Sequence, residues 1–321
     1  MKLAPYTRIL ARGPGRSRSF TRDEAAEVMR IILDGEGDAE AIGAILTLLR
    51  MKGEVAEEIA GFAAAARETL PRIARPALDW PSYAAGRSRG LPFFLLAARL
   101  VAQGGHPVLL HGWNSEHHMD SAASVRAALP LAGIPVASSV EDAGALLSAN
   151  GIAYLPLECI QPVLLDLLRL RDRLGVRSCI NTVLRVLNPA QAPASVQGVF
   201  HPPYRELQAD AGRLLGQQAL TVIKGGGGEF ERNPTKATAL FGLRAGEAHD
   251  ATAPALMEEV ARLNQGWDDP TLLARLWSGD WQDDFAEAVV IGTAELALDT
   301  LGLPDPGGSA RALWQGRHAA T

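Results

Sequence analysis

Between residues 107 and 223 short apolar runs alternate with longer amphipathic stretches, and that alternation constrains the fold more than any other feature of the chain. The runs lie at 107–111, 134–137, 152–157 and 219–223, bounded by glycine, proline, histidine or another polar residue. Helical candidates surround them at 91–103, 121–131, 141–149, 161–173 and 206–215. Parallel strands need crossover connections, and a helix is the usual crossover. The alternation therefore predicts a mostly parallel central sheet with helices packed on it. The last third reads as helical again, most clearly over 283–301, with a polar tail from Pro304.

A different pattern precedes the alternation. Thr21 and Glu24 have the spacing of a capping box, in which two side chains satisfy orphan backbone N–H groups at a helix start. Val28, Ile31 and Ile32 then give an apolar stripe that Gly35 and Gly37 interrupt. Ile42, Ile45, Leu46 and Leu49 follow at i, i+3, i+4 and i+7. Gly53 ends that helix, and Val55, Ile59, Phe62 and Ala66 mark a third. Three consecutive helices with short loops predict a small helical unit. Their stripes serve either its core or a dimer face.

Charge is unevenly spread. The net charge is −5, yet residues 1–22 carry Lys2, Arg8, Arg12, Arg16, Arg18 and Arg22 and no acid. The remainder holds 25 basic against 36 acidic residues, a balance of −11. The arm at 5–19, punctuated by Gly13, Pro14 and Gly15, is expected to be extended. It reads either as a solvating tail or as a docking segment for an anionic partner. Two cysteines in 321 residues build no disulfide framework and fit a reducing compartment. No apolar run approaches the ~20 residues that span a bilayer. No secretory signal is read at the N-terminus. A cytoplasmic protein without a membrane partner is expected.

Ligands of parallel α/β sheets sit beyond the strands' carboxyl ends, which directs attention to three loops. Residues 79–90 hold Tyr83, Arg87 and Arg89 ahead of a predicted helix. That stretch is either a phosphate seat or a polar loop with two surface arginines. Residues 111–118 hold His111, Gly112, Trp113, Glu116, His117 and His118, at a spacing that matches no strong zinc pattern. Residues 224–231 read Lys-Gly-Gly-Gly-Gly-Glu-Phe-Glu. Its glycines allow close backbone approach to a ligand, but it is neither a Walker loop nor a dinucleotide fingerprint. A basic stretch, Arg169, Arg171, Arg173, Arg177 and Arg185, has Asp166 and Asp172 within pairing range and reads by default as a solvated face.

Several of these segments together resemble a known family. Leu48-Leu49-Arg50-Met51-Lys52-Gly53-Glu54 with Glu57-Glu58-Ile59-Ala60-Gly61-Phe62 is similar to the N-terminal helices of anthranilate phosphoribosyltransferase. Leu174-Gly175-Val176-Arg177-Ser178, with Asn181 and Asn188-Pro189, resembles its Leu-Gly-x-Arg-Thr…Asn…Asn-Pro segment. His111-Gly112 resembles its Lys-His-Gly-Asn-Arg motif, and 219–229 its Val-His-Gly…Asp-Glu segment. The resemblance, over about residues 5–300, implies a small helical domain, a larger α/β domain and a cleft between them. It places the helical domain at 1–75, completed by a segment at about 160–185, and the α/β domain at 76–158 and 186–321. It also implies a homodimer formed through the helical domain.

The departures from the family pattern bear on function. Where the enzymes carry Gly-Thr-Gly-Gly-Asp-Gly for the diphosphate of their substrate, this chain has Ser82-Tyr83-Ala84-Ala85-Gly86-Arg87. The lysine before His-Gly is Leu110, and the magnesium-holding Asp-Glu pair is Glu229 beside Phe230. A phenylalanine supplies no oxygen to a hard cation. These replacements resemble a divergent, YbiB-type branch associated with DNA binding, which shares Glu229 to Asn233-Pro234 and His201-Pro202. The expectation is a non-catalytic, nucleic-acid-binding homodimer without a cofactor. Its phosphate contacts would be Arg8, Arg12, Arg16, Arg18, Arg87, Arg89, Arg177 and Lys224. Tyr83, His111, Gly112, Trp113, Asn181, Gly225 and Gly226 would line the cleft, with Tyr83 or Trp113 stacking a base. The alternative is a phosphoribosyl or related glycosyl transferase of altered specificity, with magnesium on Glu229 and Glu231.

Overall fold

The computed structural model describes residues 2–13, 15–83, 89–113, 121–264 and 266–318. Four helices open the chain: α1 (Ala4–Ala11), α2 (Arg22–Leu33), α3 (Ala39–Lys52) and α4 (Ala56–Glu68). The capping box at α2 forms, with Glu24 N–H donating to Thr21 and Thr21 N–H donating to Glu24. The arm differs from its expected extended form. Its first part is α1, because Pro5 falls in the first helical turn, where no intrahelical N–H is required. Leu3 and Leu10 are buried, and Tyr6 meets Phe20 edge-on at 6.0 Å.

A buried carboxylate ties this region together. Glu58 is fully buried and accepts from the backbone N–H groups of Phe20 and Val55 at 2.8 and 3.0 Å. The Lys52 ammonium lies 3.2 Å from it.

The rest of the chain forms a seven-stranded sheet. Its strands are β1 (Leu78–Ser82), β2 (Val108–Gly112), β3 (Ile152–Pro156), β4 (Ala194–Val199), β5 (Ala219–Lys224), β6 (Thr238–Arg244) and β7 (Glu247–Ala253). The spatial order is β3-β2-β1-β4-β5-β6-β7, parallel through β5 and antiparallel at β6 and β7. The helices are α5 (Phe94–Gln103), α6 (Val125–Ala128), α7 (Val140–Asn150), α8 (Leu157–Ile160), α9 (Pro162–Leu174), α10 (Ile180–Val186), α11 (Tyr204–Leu214), α12 (Leu272–Ser278), α13 (Asp284–Thr300) and α14 (Pro306–Gly316).

Three expectations are corrected here. Residues 79–82 are not loop but most of β1, an interior strand of the sheet, buried on both faces as parallel strands are. Its Asp and Pro hid it from a hydrophobicity reading. Residues 134–137 form only a single bridge, Val136 to Tyr154. The polar tail from Pro304 is α14, started by Asp305 and anchored by buried Ala310 and Trp314.

Two cores sandwich the sheet. One joins α1–α4, α9 and α10 to Leu109, Ala153 and Leu155. The other joins α5, α12, α13 and α14 to Leu78, Trp80, Leu110 and Val196. The chain is thus a small helical domain on a larger α/β domain. After β3 the chain crosses back to β4 on the far side of β1, so β1 and β4 flank the topological switch point.

Candidate phosphate-binding cleft

The loops after β1, β4 and β5 border a cleft of about 680 Å³. Arg89, Arg205, Lys224, Lys236 and Arg262 line it, with Phe200, His201, Gly225, Gly227 and Asn233, and no carboxylate is among its described lining residues. Lys224 is the last residue of β5, paired in register with Val199 of β4. Arg205, on α11, donates from Nε to the Pro202 carbonyl while its guanidinium lies 4.5 Å over the Phe241 ring.

A second, smaller cavity of about 70 Å³ adjoins the first, sharing Phe200 and His201. Arg50, Arg177, Asn181, Arg185 and Tyr204 line it, again without a carboxylate among the described residues. Arg50 donates to the Tyr204 hydroxyl at 2.8 Å, and that hydroxyl donates to Glu54 at 3.1 Å. Burial lowers the pKa of Arg177, and the neighbouring cations Arg171 and Arg50 lower it further. Burial also pulls Arg185 down, and the nearby Glu229 carboxylate opposes that pull. Arg185 holds Asn181 through both its backbone carbonyl and its side-chain oxygen. Within a body of net negative charge, eight cationic side chains converge on two joined cavities.

Beneath the switch point lies a buried polar chain. Ser195 Oγ donates to Asp79 Oδ2 at 2.7 Å, Asp79 Oδ1 is 3.1 Å from His111 Nε2, and His111 Nδ1 is 2.8 Å from the Tyr83 hydroxyl. The Asp79–His111 approach has ion-pair distance without hydrogen-bond geometry. Asp79 and His111 are fully buried and Tyr83 is 3% exposed. Burial raises the Tyr83 pKa far above the phenolic range, with Tyr154 and Asp79 adding to the rise.

The expected site residues separate accordingly. Arg89, Lys224 and Gly225 line the large cavity, and Arg177 and Asn181 the small one. Gly226 is tied back through its N–H to the Glu231 carbonyl. His111 and Tyr83 are not cleft residues but structural members of the polar chain, so Tyr83 offers no stacking face. Gly112, at the end of β2, packs against β1 so closely that a side chain there would overlap the Ser82 carbonyl. Trp113 is half-buried against the helical core. Arg8, Arg12, Arg16 and Arg18 are exposed but line neither cavity, and Arg18 is held by Glu24 at 2.6 and 2.7 Å. Arg87, Glu116, His117 and His118 lie outside the described residues. Arg205, Lys236, Arg262 and Phe200 escaped the sequence reading, because only the strand order gathers them.

The glycine-loop carboxylates do not fit a magnesium site. Glu231 is fully buried and accepts from Phe94 N–H at 3.1 Å, at the start of α5. Phe230 is fully buried and edge-on to Trp80 at 5.4 Å. Glu229 is 1% exposed. Magnesium keeps several waters and bridges to substrate phosphates, which demands accessible carboxylate oxygens. Among the described residues no group of three His, Cys, Asp or Glu is placed to hold a metal ion.

Comparison with known proteins places this cleft in context. Residues 4–70 match the helical bundle domain of the glycosyl transferase family. The anthranilate phosphoribosyltransferase of Xanthomonas campestris pv. campestris (strain 8004) is 30% identical over 237 residues, 73% of this chain and 68% of that one. An uncharacterized protein of Aquifex aeolicus is 30% identical over 223 residues, 69% of this chain and 67% of its own. Among solved structures, anthranilate phosphoribosyltransferase from Thermus thermophilus superposes with a TM-score of 0.78 at 24% identity, covering 99% of both chains. The Saccharomyces cerevisiae enzyme in complex with PRPP and Mg superposes with a TM-score of 0.79 at 16% identity, covering 99% of this chain and 94% of that one.

Proposed function

The chain belongs to the anthranilate phosphoribosyltransferase-like glycosyltransferase family 3, and from that premise we propose that it is a non-catalytic member whose cleft binds nucleic acid through phosphate contacts. It is also what the resemblance of Glu229 to Asn233-Pro234 and of His201-Pro202 to a YbiB-type branch would imply. One observation carries it: eight cationic side chains converge on the joined cavities, with no carboxylate among the described lining residues. The relatives' enzymatic role calls for a metal-bound diphosphate, and here Glu231 caps a buried helix while Phe230 fills core. A groove lined by cations suits a polyanion, because each neutralised phosphate releases condensed counterions. The acidic body confines binding to the groove and limits indiscriminate adhesion elsewhere.

Titration of nucleic acid at several salt concentrations tests the reading. The expected result is affinity that falls steeply and linearly on logarithmic axes as salt rises. A flat response would remove it. The family's own chemistry supplies the competing reading, a transferase of altered specificity. Calorimetry with phosphoribosyl diphosphate and magnesium separates the two. Saturable, magnesium-dependent heat favours the transferase, and its absence at high ligand concentration favours the proposal.

A further inference from the structure

Resting on the nucleic-acid reading, we propose that the cleft takes a single strand and that Phe200 is the platform on which one of its bases stacks. Phe200 follows β4 at the switch point and, with His201, lines both cavities. The residue is 45% exposed, and it is the only aromatic among the exposed large apolar residues of the described chain. A solvent-facing phenyl forgoes the stabilisation that burial would give it, and this one stands at the junction of two cationic cavities.

The surroundings hold that ring in place. Val199 is paired with Lys224, and Gly225 N–H donates to the Val199 carbonyl at 3.2 Å, so the backbone entering Phe200 is anchored. The His201 ring stands at 80° to the phenyl with centroids 4.9 Å apart. Lys224 and Arg205 line one cavity together with Phe200, and Arg50 and Arg177 line the other with it. A single strand running past Phe200 would therefore meet cations on both sides of a stacked base. Every base presents a π-face, so such a platform is tolerant of sequence. A duplex hides those faces in its own stack and gains only the phosphate term.

Three probes of similar length separate the contributions: oligothymidylate, an abasic single strand and a duplex, each titrated at several salt concentrations. Wild-type protein is expected to bind oligothymidylate about fivefold to a hundredfold more tightly than the abasic strand. Phe200→Ala should erase that difference and leave the salt slope unchanged, and Phe200→Tyr should retain it. Because the ring is exposed, Phe200→Ala is not expected to unfold the chain, and circular dichroism checks this. If wild-type protein binds oligothymidylate and the abasic strand alike, or Phe200→Ala changes nothing, stacking is refuted while a steep salt slope keeps the phosphate reading. If none of the three probes binds, both readings fall.

Discussion

Gly225 shows how tightly single residues constrain the cleft. A Cβ there would overlap the carbonyl oxygen of Glu229, so the turn after β5 closes only around a hydrogen. Gly225→Ala is expected to cost about 2 kcal/mol or more, read as a lower urea midpoint at unchanged slope. Tyr83→Phe removes the hydroxyl that meets His111 Nδ1 in a fully buried site. Loss of that partner should cost about 1–3 kcal/mol in the same urea measurement, without altering binding of any anion. Lys224 and Lys236 are exposed at the cleft. Lys224→Ala and Lys236→Ala should each lower the salt slope of nucleic-acid binding by about one, uniformly across sequences. The sequence exposed Lys224 and Gly225 through their neighbours in one loop. It hid Lys236, Arg205 and Arg262, because a cation's address in a cleft depends on which strands lie side by side.

Elements are held by groups at their ends. At the start of α2, the Arg18 guanidinium and the Thr21 backbone hold the Glu24 carboxyl down at about 2. A depressed carboxyl stabilises the fold above its unfolded pKa of about 4.3 and loses that contribution as pH falls through its folded value. Thermal unfolding should therefore show an Arg18-dependent loss between about pH 4.5 and pH 2, which Arg18→Ala abolishes. At the start of α5, Glu231 accepts a backbone N–H inside the core. Glu231→Ala should destabilise the chain by about 1–3 kcal/mol, and magnesium should leave the melting temperature of both proteins unmoved. The capping box at α2 was legible because both partners lie within four residues. The cap on α5 was not, because its acceptor comes from 137 positions downstream. Periodicity marked the helices from α2 to α4 for a similar local reason. It missed β1, where Asp79 and Pro81 interrupt the apolar pattern, and α14, whose only large anchors are half-hidden among Gly, Ser and Arg.

For the whole molecule, we expect two copies to pair through the helical domain. Multi-angle light scattering should give twice the 34.1 kDa chain mass, and a monomer would refute the pairing. Local rules acting over a few residues decided much about this protein in advance. Alternation of short apolar runs with amphipathic stretches dictates helices on a parallel sheet, and the motifs that resemble the family are written in the chain itself. Only the tertiary structure decided which charges meet. Strand order puts β4 between β1 and β5, and the assembled layers gather cations from residues 50 to 262 at one opening. The same packing withdrew His111 and Tyr83 into a buried polar chain and left Phe200 in solvent. Burial and proximity are properties of assembled layers, and no short window of sequence contains them.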